Sequence, residues 1–229
     1  MKTKSLGLRD FTALILIPLQ LAIGWLFKLT PLSDNQNIGI IVSFILPLLS
    51  VCMLIKVYGA TLKKCWLDYR KKIWLKVLFS ILGAIVIVGI LQVVRLIMAQ
   101  FISIPQGYTS GENETAVLPL ILTILASLIP LLNAFQEEII FRHVLFYKQK
   151  DIRFLSVFLF LLSAFLFGLI HLNNFDGNIV ATIPYMIIGA FLNLVYLFSK
   201  NIWYPIGMHI TFNFAMATVP MLFISVMQI

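Results

Sequence analysis

Seven apolar runs, each close to the length of a membrane-spanning helix, divide this chain. They fall at 11–27, 38–56, 74–97, 117–136 (continuing toward 147), 154–172, 179–198 and 203–227. A helix needs about 20 predominantly apolar residues to cross a hydrocarbon core roughly 30 Å thick. In hydrocarbon, backbone N–H and C=O groups must be satisfied within the protein, so the runs predict helices. A β-barrel would show alternation instead, and these runs are continuous. With 61% hydrophobic and only 11% charged residues, the 229-residue chain lacks the polar surface a soluble domain needs. The expectation is an all-α polytopic transmembrane bundle, a single integral membrane domain over residues 1–229. The first run follows "MKTKSLGLRD", but it is long and no small-x-small cleavage site follows. It is therefore expected to be a retained span.

The net charge of +8 is spread alternately over the loops, which argues for a lipid bilayer and against nucleic acid as the partner. With the N-terminus inside, only Lys28 and Arg95 of the 17 Lys and Arg residues fall on the outer side. The outer loop "SIPQGYTSGENETAV" is acidic. This pattern predicts N-in and C-out. The basic second loop, "KKCWLDYRKKIW", carries Trp66, Tyr69 and Trp74 among its charges, as interfacial topogenic segments do. The two cysteines, Cys52 and Cys65, sit at a span end and in a loop, with no disulfide implied.

Of the nine acidic residues, only Glu137 and Glu138 lie within an apolar helical context; the others, Asp10 included, fall in tails, loops or loop edges. A charge within a span costs on the order of 3 kcal/mol, so two together need a reason. Glu138 and Arg142 are at i, i+4, acid first, which favours an ion pair. Glu137 points about 100° away around the helix and has Phe141 at its own i+4 position. Glu138–Arg142 thus reads as a brace and Glu137 as the carboxylate free for chemistry. The bland alternative is that both glutamates pair with Arg142 at a helix end.

Of the three histidines, His171 ends the run "FLFLLSAFLFGLIH", with Phe167 four residues before it. His209 lies in "YPIGMHITFNFAM", with Asn213 four residues on and on the same helical face. A Glu and a His sharing a water can deprotonate it. A second His and an Asn amide can donate hydrogen bonds to a tetrahedral oxyanion. Those parts suffice for amide hydrolysis without a covalent nucleophile. Alternatively His171, His209 and Glu137 could hold a zinc ion with one open position; "EEIIFRH" is not the helical HExxH zinc motif. His209 follows Lys200 by roughly 13 Å of helix and His171 follows Arg153 by roughly 27 Å. A common site therefore requires a tilt, a bend or a shifted helix start.

These residues resemble the CPBP family, the type II CAAX prenyl protease and bacteriocin-processing (Abi) group of intramembrane proteases. The family's EExxxR motif is matched by Glu137, Glu138 and Arg142, its FxxxH motif by Phe167 and His171, and its HxxxN motif by His209 and Asn213. The resemblance covers residues 115–220, a protease-like core; the first hundred residues match only as hydrophobic spans. It implies an intramembrane endopeptidase with Glu137 and His171 activating water. His209 and Asn213 would stabilise the oxyanion, and Glu138, Arg142 and Phe167 would support the site. Both metal and metal-free glutamate mechanisms are argued for the family. The implied partner is a membrane-associated peptide or protein tail: a prenylated CAAX-type terminus in one branch, a peptide pheromone or bacteriocin in bacterial members. A bacterial cell membrane is the expected location. One departure is His143, where many members have Gly after the Arg. Two non-proteolytic readings stand beside this one. The first is a bacteriocin-immunity or scaffold protein whose polar cluster only packs. The second is a proton-coupled carrier relaying through Glu137, although no inverted repeat is visible.

Overall fold

A computed structural model describes residues 6–101 and 118–227. Among the described residues seven main helices follow one another: α1 (Leu8–Lys28), α2 (Gln36–Tyr69), α3 (Ile73–Ala99), α4 (Leu120–Gln149), α5 (Arg153–Leu169), α6 (Val180–Ser199) and α7 (Trp203–Ser225). All but α5 are long and apolar enough to cross a membrane. No strand occurs among the described residues. The chain is an all-α, polytopic integral membrane protein, and its many exposed Leu, Ile and Phe side chains are what a lipid-solvated surface requires.

Three helices depart from the expected bounds. α2 has 34 residues, so the run read as 38–56 continues as helix through most of the basic segment taken for a loop. Only residues 70–72 separate α2 from α3, and Lys72 turns the chain there with φ 54°. α4 carries its run through to 149, but its final third is not α-helical: Glu138–Phe146 is π-helical and Tyr147–Gln149 a single 3-10 turn. α5 ends at Leu169, short of the expected 172. The acidic outer loop lies outside the described residues.

Polar contacts define the two faces of the bundle. On one, Asp10 at the start of α1 meets Lys148 at the end of α4 and Tyr58 of α2, while α7 begins against the last turns of α2. On the other, Ser225 near the end of α7 meets Thr123 near the start of α4. Small residues allow the close approaches between helices. At Gly189 of α6 the Ala164 Cα of α5 is so near that an added Cβ would lie 3.0 Å from it. Gly83 of α3 abuts Met208 of α7, and Gly207 of α7 abuts Ser80 and Tyr69. The fully buried centre holds a charged side chain, Arg142, beside Phe167 and Tyr196.

Candidate active site

The EExxxR segment enters the core where α4 changes from α to π winding. The wider π turn brings side chains four residues apart more nearly into line than an α-helix does. Glu138 Oε2 lies 3.1 Å from Arg142 Nε, and both side chains are completely buried. Glu138 has a second partner: its Oε1 is 2.9 Å from Nδ1 of His209 on α7. One carboxylate thus ties a guanidinium on its own helix to an imidazole on another. The brace expected from i, i+4 spacing is present, and it also orients His209. With Nδ1 engaged by Glu138, Nε2 is the nitrogen left for a substrate. The Glu138–Arg142 contact is an ion pair by distance: none of the three guanidinium nitrogens of Arg142, nor Oε2 of Glu138, makes a hydrogen bond among the described residues. The guanidinium carbon lies 4.0 Å from the centre of the Phe167 ring, a cation–π contact.

Phe167 explains the FxxxH pattern. Its ring stands edge-on to both His171, at 5.3 Å between centroids, and His209, at 5.6 Å. Its backbone carbonyl is 2.9 Å from His171 Nδ1, which donates to it. That bond fixes the tautomer and leaves the lone pair on Nε2. The other face of His171 stacks on Tyr185 of α6, 4.3 Å away and tilted by 21°. Two histidines whose nominal helix depths differ therefore converge on one phenylalanine. The start of α7 that permits this is pinned to α2: Asn201 Nδ2 donates to the Cys65 carbonyl and the Trp203 indole to the Leu62 carbonyl, both at 2.9 Å.

Glu137 is buried, at 8% exposure, and accepts no hydrogen bond among the described residues. Its charged neighbours are His209, Glu138 and Arg142. It makes no hydrogen bond to His171. Asn213, the last α-helical residue before the π turn Phe214–Thr218, donates from Nδ2 to the Pro130 carbonyl of α4 at 2.8 Å. This bond ties α7 to the helix that carries the glutamates. Among the described residues, no three His, Cys, Asp or Glu side chains converge as metal ligands. The set His171, His209 and Glu137 does not form a ready zinc site. His143 lies apart from this cluster; its Nδ1 is 2.7 Å from the Tyr196 hydroxyl.

Two polar contacts were missed in the sequence. Asp10 is not an exposed tail residue: it is 3% exposed, with Lys148 Nζ at 2.5 Å and the Tyr58 hydroxyl at 2.8 Å. Gln20 of α1 pairs its amide with that of Gln136, at 2.9 and 3.1 Å, and also reaches Ser50 of α2. Gln20 and Gln136 are the hints the sequence offered, being amides inside apolar runs, and Gln136 directly precedes Glu137.

The geometry agrees with what similarity reports. Residues 117–215 match the family described as Type II CAAX prenyl endopeptidase Rce1-like. That stretch of the chain is similar to the Rce1-like family. The match spans every residue of the cluster, from Glu137 to Asn213. A Bacillus subtilis (strain 168) protein described as "Putative membrane peptidase YdiL" is 26% identical over 214 residues, covering 89% of this chain and 81% of its own. No solved structure matches the chain. Both similarities are to peptidases, and the chain itself is an integral membrane protein.

Proposed function

We propose that the chain is an endopeptidase that cleaves a membrane-associated peptide or protein tail with water activated by Glu137 and His171. The supporting observation is a pairing of acceptors. Glu137 carries no hydrogen-bond donor, and His171, with Nδ1–H given to the Phe167 carbonyl, offers only a lone pair at Nε2. A water between them donates one hydrogen to each, which leaves its own lone pair for a carbonyl carbon. Glu137 takes the proton as the C–O bond forms. The tetrahedral oxyanion is met by Nε2 of His209, whose ring is oriented by the contact of its Nδ1 with Glu138. The second Nδ2 hydrogen of Asn213 supplies another donor. Collapse restores the carbonyl and breaks the C–N bond, and the departing amine takes back the proton from Glu137.

Cleavage of a membrane-anchored peptide by reconstituted protein tests this reading. Glu137→Gln keeps the shape and removes the base, so the rate should fall by about 10²–10⁴-fold while the melting temperature holds. A chelator should leave wild-type cleavage unchanged. Cleavage by Glu137→Gln at the wild-type rate would return the cluster to a packing role, as in an immunity or scaffold protein. Chelator-sensitive cleavage restored by zinc would replace the Glu/His water with a metal.

A further inference from the structure

α1 is fastened to the bundle at two polar points with a gap between them. Toward one face Asp10 binds Lys148 and Tyr58; deeper, Gln20 binds Gln136 and Ser50. Along α4 these fastenings are roughly 15–18 Å apart, taking about 1.5 Å per residue. Between them α1 stands off the α4–α5 hairpin and leaves a cavity of about 390 Å³, open on one side. Its lining residues are all apolar: Leu14, Ile17 and Leu21 of α1 face Phe141 of α4, Leu166 of α5 and Ile170 just past its end. Among the lining residues Leu21 remains exposed.

Interiors pack to the density of organic crystals, so a gap of this size between helices is not left empty. Water would find no polar partners on these walls. The mouth lies within spans of a membrane protein, and the phase outside is hydrocarbon. The gap lies between the two points at which α1 is clipped, and Lys148, partly exposed and paired with Asp10, sits toward one of them. We propose that this groove is a binding site for one acyl chain of a bilayer phospholipid, held between α1 and α5. The chain lies against Phe141, whose ring packs edge-on to Phe167, and against Ile170, which precedes His171. A resident lipid thereby forms one wall behind the candidate active site.

The test uses the full chain reconstituted with a phosphatidylcholine bearing a photoreactive diazirine midway along one acyl chain, with adducts located by mass spectrometry. No cleavage is read, so the result stands apart from the proposed proteolysis. Adducts at Ile17 and Leu166 should exceed those at Val157 and Leu161, on the exposed face of α5, as expected of a site rather than of bulk solvation. Leu166→Trp fills the groove and should abolish the adducts on α1 while sparing Leu161. If that variant fails to fold, Leu14→Phe at the rim makes the same test. Equal labelling of groove and exposed face, or groove labelling unchanged by the filling variant, would overturn the proposal. So would groove labelling displaced by a peptide carrying an alkyl anchor but not by added phospholipid, because the groove would then belong to a substrate.

Discussion

Glu138 meets Arg142 on its own helix and His209 on another, whereas its neighbour Glu137 meets no hydrogen-bond donor among the described residues. Their substitutions should therefore fail differently. Glu138→Gln leaves the buried Arg142 guanidinium without its counter-charge and should lower stability by about 3–5 kcal/mol, read as a fall in melting temperature. Glu137→Gln should leave the melting temperature in place and remove cleavage alone. Equal melting temperatures for Glu138→Gln and wild type would refute the brace. The asymmetry was legible in the sequence because i, i+4 spacing is local information. The His209–Glu138 contact was not, since it joins residues 71 positions apart and no local signal announces it. Nor was Asp10 recognisable as a buried anchor: its partners Tyr58 and Lys148 lie 48 and 138 positions away.

At the scale of helices, the apolar runs revealed how many there are and roughly where, because length and hydropathy suffice for that. Winding was hidden. Nothing in "EIIFRHVLF" distinguishes π from α geometry, and only the packing of Arg142 against Phe167 gives the wider turn a purpose. The α5–α6 contact holds that geometry. Ser163 on α5 lies 3.0 Å from the Phe141 carbonyl of the π segment, and Asn193 on α6 donates to the Phe160 carbonyl at 3.0 Å. Because Gly189 seats α6 directly on Ala164, Gly189→Val should force the two helices apart at a cost of about 1–3 kcal/mol. It should also slow cleavage by shifting Phe167 and His171 together. A variant with wild-type melting temperature and rate would show that the close approach is dispensable.

At the scale of the whole molecule, the charge asymmetry predicts which face meets the cytoplasm. With the native Cys52 and Cys65 replaced by Ser, Lys71→Cys between α2 and α3 should react with an impermeant thiol reagent only after the membrane is opened. Asn174→Cys between α5 and α6 should react in intact cells. The reverse pattern would invert the orientation.

α2 sets a further constraint on the molecule as a whole. Its 34 residues extend roughly 51 Å, well beyond a hydrocarbon core of about 30 Å, and the projecting end is where Asn201 and Trp203 anchor α7. The height of His209 is therefore measured from a post standing outside the lipid, not from the bilayer surface. Thinner or thicker membranes should tilt the bundle as a body without sliding His209 past Glu138. Cleavage should then vary less than about twofold across lipids of different acyl length, and Trp203→Ala, which loosens the post, should make the rate follow bilayer thickness. A proteolytic site gauged in this way carries its own ruler from one membrane to another.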